Sequence, residues 1–292
     1  MVDHHTSRGR FAPSPTGSLH VGNLRTALLA SALARSSGGD FVIRFEDLDR
    51  VTSSRDIATQ QLHDLASVGI ESHSQPVFQS ERFSVYEDYI SRLVALGLVY
   101  ECFCSRKEIR EAALAPHGNH MLYPGTCRDL SESEREKRRA ERSPALRLRS
   151  SREDIRFVDR VLGDCGGAVD DVVLRRNDGV PAYNLAVVVD DELQGITEVV
   201  RGDDLVGVTP SQIHLQQLLG FSTPTYCHIP LVVGTDGERL AKRHGAVSLS
   251  DLAASGYSAD EVRAVLWASL GQTGDTFDLS LVPREPYVWR GM

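Results

Sequence analysis

Residues 10–23, RFAPSPTGSLHVGN, set two prolines, two glycines, an arginine and a histidine ahead of the helix-forming run NLRTALLASALAR at 23–35. A simple turn needs one or two residues of this kind. A loop whose backbone comes close to a bound phosphate needs rigid corners, small residues and polar donors together. The start of this stretch reads as a short strand, and FVIRFEDLDR at 41–50 begins as a buried strand and ends in carboxylates and arginines. Strand, Gly-containing loop, helix and strand in that order open a doubly wound, Rossmann-like α/β domain with a parallel sheet. Its ligands sit at the carboxyl ends of the strands.

Further along, DIATQQLHDLASVGI and RFSVYEDYISRLVALGLVY read as helices that each close near a glycine. After Tyr100 the texture changes to Cys, Arg, Lys and Glu, which predicts an inserted α/β subdomain over 77–180 between two catalytic halves, 8–76 and 181–250. Helical and strand-like text resumes with AYNLAVVVDDELQGITEVVRGDDL. TPSQIHLQQLLG follows with a Thr-Pro helix start, and TYCHIPLVV reads as a buried strand. Residues 251–292 read as a short helical cap, SADEVRAVLWASLG, with a Pro-punctuated tail.

The chain has 292 residues, 41% of them hydrophobic, enough to bury a sizeable core. A net charge of -8 argues against a broad electrostatic nucleic-acid binder, but not against a local basic face. REKRRAERSPALRLR at 135–149 is such a segment, or else a solvated helix face. With no long apolar run and no cleavable leader pattern, the expectation is a cytoplasmic protein with no membrane partner. Five cysteines, an odd number, fit reduced thiols.

His20 and Gly22 stand at the mouth of the first helix, where partial positive charge and open N–H groups suit an anion such as a nucleotide triphosphate. Far downstream, ERLAKRHGA places Lys242, Arg243 and His244 in a loop that can close over a polyphosphate. Cys102 and Cys104 in YECFCSRKE and Cys127 in HGNHMLYPGTCRD have spacing that suits a structural zinc ion, with unligated thiols as the alternative. The fourth ligand is open between Tyr123, His117 and His120, while Cys165 and Cys227 read as buried or incidental.

Taken together, HVGN resembles the HIGH motif and RLAKR the KMSKS motif of class I aminoacyl-tRNA synthetases. RFAPSPTGSLHVGNLRTAL is similar to the glutamyl branch. VVVDDELQGITEVVRGDDLVGVTPSQIHLQQLLG resembles the short paralogues within it, the glutamyl-queuosine tRNA(Asp) synthetases, and the likeness runs from Arg10 to about Ser250. It departs at Asn23, where the motif has histidine, and at Ala241, where it has serine, which leaves Lys242 as the main expected ATP ligand of that loop.

The resemblance implies an ATP-dependent ligase that activates L-glutamate to the adenylate with Mg2+ and passes it to the queuosine base of tRNA(Asp). DNA is not among the implied partners. A shortened enzyme charging the tRNA acceptor end and a non-catalytic RNA-binding relative are the alternatives. The chain ends soon after the KMSKS-like loop, so no anticodon-binding domain is expected. Carried over residue by residue, Arg10 and Arg201 meet the glutamate carboxylates and Glu46 takes the ammonium. Ser14 and Tyr183 supply hydroxyls within a glutamate site that includes Phe11, Ala12 and Pro13. His20, Gly22, Asn23 and Lys242 hold ATP, with His20 and Lys242 stabilising charge in the reaction. The resemblance favours Tyr123 as the fourth zinc ligand.

Overall fold

The computed structural model describes residues 7–105, 107–109, 122–238, 240, 247–274 and 276–292. Strand β1 (Arg8–Phe11) leads through the Pro-rich loop into helix α1 (Val21–Ser36), then strand β2 (Asp40–Phe45) and helix α2 (Arg55–Ser67). Helix α1 buries Val21, Leu24, Ala27, Leu28, Leu29 and Leu33, because it is covered by the sheet on one side and by a C-terminal helix on the other. The chain continues through β3 (Val77–Phe78), α3 (Phe83–Ala95), β4 (Val99–Cys102), α4 (Glu132–Arg139), β5 (Ala145–Leu148), β6 (Asp154–Asp159), β7 (Gly163–Ala168) and β8 (Val173–Arg175). Helix α5 (Tyr183–Leu193), β9 (Glu198–Gly202), α6 (Thr209–Leu219), β10 (Thr225–Ile229) and β11 (Val232–Val233) follow, and α7 (Leu249–Ala254), α8 (Ala259–Ser269) and β12 (Tyr287–Val288) complete the order.

Among the described residues, seven strands form the main sheet in the order β3-β2-β1-β9-β10-β6-β7. Every neighbouring pair is parallel except β6 with β7, which form an antiparallel edge hairpin. The expected Rossmann-like parallel sheet is therefore present in mostly parallel form. From β1 the chain first winds outward through β2 and β3, then returns to lay β9 on the other side of β1. That reversal opens a crevice beyond the carboxyl ends of β1 and β9.

Strands β6 and β7 come from inside the stretch expected as an insertion, yet they extend the main sheet. DIRFVD alternates between exposed and half-buried positions up to the buried Asp159, and GDCGGA is rich in glycine, so neither carries the continuous apolar run of a strand buried on both faces. Separate from this sheet is a small antiparallel one, β4-β5-β8, beside a cluster of Tyr100, Cys102, Phe103, Tyr123 and Cys127. In the basic stretch, α4 has no buried residue, which matches a solvated helix face. The C-terminal tail is more than a cap, since β12 pairs with β11 and Trp289 is buried.

Candidate active site

The Pro-rich loop is held in shape by the segment that follows β2. Glu46 N–H donates to Pro13 O at 3.0 Å and Ser54 N–H to Pro15 O at 3.0 Å, while Gln61 Nε2 donates to Ser14 O at 3.1 Å and Gly17 O at 2.7 Å. At its end His20 caps α1: Nδ1 accepts from Gly22 N–H at 3.1 Å and Asn23 N–H at 3.3 Å, and Asn23 Oδ1 accepts from His20 N–H at 3.1 Å. With Nδ1 accepting, the imidazole proton sits on Nε2. A Cβ on Gly22 would come within 3.0 Å of the His20 ring, so this capping position favours glycine. The Gly22 and Asn23 N–H groups, at the helix mouth expected to meet ATP, are engaged by His20 Nδ1.

A cleft of about 500 Å³ lies at the reversal of the sheet. It is lined by Arg10, Phe11, Ala12, Pro13, Ser14, His20, Gly22 and Asn23 from the first loop, and by Glu46, Tyr183 and Arg201 from elsewhere in the chain. Lys242, Arg243 and His244 lie outside the described residues. Their described flanks reach the same place: Leu240 lines the cleft and Val247 O accepts from Val21 N–H at 3.1 Å.

Buried charge surrounds this cleft. Arg10 donates from Nε to Asp191 Oδ1 at 3.3 Å and from Nη1 to Val200 O at 3.0 Å. The same carboxylate oxygen takes Arg44 Nη1 at 2.8 Å, and Arg44 Nη2 lies 3.7 Å from Glu46 Oε1. Burial alone would push Asp191 up, but Arg10 and Arg44 outweigh it and hold the carboxyl below its ordinary value. Glu46 goes the other way. Burial drives its pKa up to about 7 against the pull of Arg44 and Arg10. Arg44 and Glu46 thus form a loose pair, with Arg44 buried and Glu46 half-buried. Tyr183, half-buried at the start of α5, has its phenol pushed up by burial and then by Glu46, so it is a neutral hydroxyl here.

Arg201 differs from the other two arginines. Its Nε donates to His228 Nε2 at 3.0 Å, Nη1 to Gln212 Oε1 at 2.8 Å and Nη2 to Thr209 Oγ1 at 2.8 Å. Among the described residues no carboxylate pairs with it. Asp191, His228, Thr209 and Gln212 were not singled out from sequence. The available signals were the Asp190-Asp191 pair on an apolar helix and a histidine inside the apolar run TYCHIPLVV.

A cleft with buried arginines, a capped helix mouth and a sheet reversal is common to many nucleotide enzymes. Residues 6–274 match the family described as tRNA synthetases class I (E and Q), catalytic domain. The chain belongs to this family. It is 53% identical to a glutamyl-Q tRNA(Asp) synthetase of Nocardia farcinica over 96% of this chain and 92% of that protein. It is 51% identical to one of Cutibacterium acnes over 90% of this chain and 76% of that protein. In fold it is similar to the crystal structure of a glutamate-tRNA synthetase from Elizabethkingia anophelis, with a TM-score of 0.83 at 24% identity, covering 98% of this chain and 68% of that one.

Away from the cleft, this class I synthetase carries a thiol cluster at the end of β4. The ligand atoms of Cys102, Cys104 and Cys127 lie within 4.8 Å of one another. Tyr123 Oη sits 3.3 Å from Cys102 Sγ and 3.5 Å from Cys104 Sγ, and accepts from Cys127 N–H at 2.9 Å. Arg138 Nη1 approaches Cys127 Sγ at 3.7 Å and the Arg147 guanidinium lies over the Tyr123 ring at 3.9 Å, so two cations face a group of potential anions. Hydrogen bonding from Cys104 and then Cys127 holds Cys102 well below the ordinary thiol range. Three soft sulfurs and a phenol in one buried cluster fit a tetrahedral metal such as zinc. His117 and His120 lie outside the described residues. Cys227 is buried and Cys165 half-buried on an edge strand, both apart from this cluster.

Proposed function

We propose that this chain condenses L-glutamate with ATP, in the presence of Mg2+, to glutamyl-adenylate and transfers the glutamyl group to the queuosine base of tRNA(Asp). The observation that carries the amino-acid half of this reading is Arg201, a guanidinium only 6% exposed that borders the cleft with three uncharged partners. A buried cation without a compensating anion is costly, and a substrate carboxylate is the missing partner. Arg10 meets the second carboxylate. Glu46, already beside two arginines and raised in pKa, receives the ammonium, and Ser14 and Tyr183 add hydroxyl contacts. The acceptor follows from the relatives' names together with their identity to this chain along most of its length.

In the reaction, the glutamate carboxylate oxygen bonds to the α-phosphorus of ATP and the bond to the pyrophosphate oxygen breaks. The acceptor hydroxyl then attacks the carbonyl and AMP leaves. His20 Nε2–H and Lys242 stabilise charge on the phosphates as it builds, so no covalent enzyme intermediate is required. Cys102, Cys104, Cys127 and Tyr123 would hold a zinc ion with protein side chains at every coordination position, which would make its role structural rather than catalytic.

Incubation of the enzyme with labelled glutamate, ATP and Mg2+ and, in parallel, queuosine-containing tRNA(Asp), unmodified tRNA(Asp) and tRNA(Glu) tests the proposal. Label on the queuosine-containing RNA alone is expected. Label on tRNA(Glu) would make the chain an acceptor-end charging enzyme, and no label with no pyrophosphate exchange would reduce it to a binding relative.

Among the described residues no helix is long and apolar enough to cross a membrane, and we take the site of action to be the cytoplasm, where tRNA is modified.

A further inference from the structure

Behind Arg201 stands a second buried pair. His228 on β10 is 0% exposed, and its Nδ1 lies 2.7 Å from Asp159 Oδ2 at the end of β6. Asp159 is itself pinned, accepting the backbone N–H groups of Val161 at 2.9 Å, Leu162 at 3.0 Å and His228 at 3.0 Å. A neutral imidazole has one donor and one acceptor. Donating from Nδ1 to the carboxylate leaves Nε2 to accept from Arg201 Nε at 3.0 Å, whereas the other tautomer would set N–H against N–H. The three residues form a line across the adjacent strands β6, β10 and β9, ending at the cleft.

We propose that His228, oriented by Asp159, is a positioning residue that sets the plane of the Arg201 guanidinium while leaving its positive charge for the substrate carboxylate. This rests on the assignment of Arg201 to glutamate. The contrast with the neighbouring arginines shows what the imidazole does. Asp191 touches Arg10 and Arg44 directly and offsets their charge, whereas Asp159 is kept one ring away from Arg201. A carboxylate in the place of His228 would fix the guanidinium equally well and neutralise it.

The groups facing His228 are Asp159 and Asp203 of one sign and Arg201 and Arg10 of the other, with Tyr226 stacked at 5.8 Å and Phe157 at 6.2 Å. Burial lowers the His228 pKa, the Asp159 hydrogen bond raises it less, and the two arginines lower it further, so the ring stays neutral around pH 7. Protonation would turn Nε2 into a donor and place a second cation against Arg201. The contribution of His228 to glutamate affinity is therefore present above its pKa and lost as pH falls through it, a step separate from the protonation of Glu46 at about pH 7.

The test compares wild type, His228→Asn and His228→Gln by calorimetric titration with glutamate and by steady-state pyrophosphate exchange. An Asn amide reaches the place of Nδ1 and can still donate to Asp159, but puts nothing at Nε2; a Gln carbonyl reaches the place of Nε2. His228→Asn is expected to weaken glutamate binding about tenfold or more, the scale of one hydrogen bond to a charged group, with the KM for ATP unchanged within about twofold. His228→Gln recovers most of the loss and removes the part of the acid-side fall in wild-type affinity that lies below the ordinary imidazole range. An Asn variant that binds glutamate as wild type does, or loses glutamate and ATP alike with no recovery in the Gln variant, overturns the positioning role. If wild type transfers glutamate while His228→Asn is indifferent, only the positioning role falls; if wild type does not bind glutamate, the assignment of Arg201 falls with it.

Discussion

Glu46 shows how a single residue trades stability for binding. Its pKa in the fold is about 7 against an ordinary 4.5, because burial outweighs the attraction of Arg44 and Arg10. A raised folded-state value means that the stability it contributes is full below about pH 4.5 and is lost as pH rises through about 7. Above that window the buried carboxylate costs the fold up to about 3 kcal/mol. Glu46→Gln is therefore expected to raise Tm at about pH 8, with a difference that vanishes toward about pH 4, while glutamate binding weakens. Equal Tm differences at both pH values would show that the carboxylate is not the strained group. At this scale sequence was informative about residue types. Arg10, Ser14, Glu46, Tyr183 and Arg201 were all legible through a motif or a resemblance, and they line one cleft. Their partners were not. Asp191 is 181 positions from Arg10, and nothing in VVVDDELQG indicates which arginine an aspartate will meet.

At the scale of elements, α1 was legible because its apolar spacing is local, although it begins at Val21 behind a His20 cap rather than near Asn23. The cap is also where structure changed the reading, since His20 uses one ring nitrogen for the helix and keeps its proton on the other. His20→Asn preserves an N-cap side chain and should leave stability within about 0.5 kcal/mol of wild type, whereas His20→Ala loses about 1 kcal/mol in urea unfolding. Both should lower the rate of adenylate formation, because neither carries the Nε2 donor. The thiol element makes a different prediction. Purified protein should contain stoichiometric zinc by metal analysis, and its removal by a strong chelator should depress transfer to RNA before it depresses pyrophosphate exchange. Strands β6 and β7 mark the limit of local reading. An edge hairpin needs neither a long apolar run nor strict alternation, so its sequence gave no reason to place it beside β10.

The whole molecule depends on joints between distant segments. Arg25, wholly buried on α1, donates to Ser269 Oγ at 3.1 Å and Ser269 O at 3.3 Å on α8 and to Pro230 O at 2.8 Å beside the cleft. Burial lowers its pKa to about 10, with Tyr287 and Asp203 opposing the shift. It therefore remains charged at neutral pH while binding the C-terminal helix to the carboxyl end of the sheet. Arg25→Met removes the buried cation but leaves two carbonyls without a donor, and is expected to cost about 2–4 kcal/mol in urea unfolding, with a smaller loss for Arg25→Lys. A neutral result for Met would show that the joint is held by packing alone. What the sequence determined by itself were the properties that neighbours along the chain can specify: helices and their caps, the Pro- and Gly-built loop, the thiol spacing and the family likeness. Tertiary structure alone decided which charges compensate one another, that Arg201 has only neutral partners among the described residues and that Asp159 reaches it through His228. Those outcomes depend on burial and on distances across strands far apart in the chain, and the energy of a charge is set by what surrounds it rather than by what precedes it.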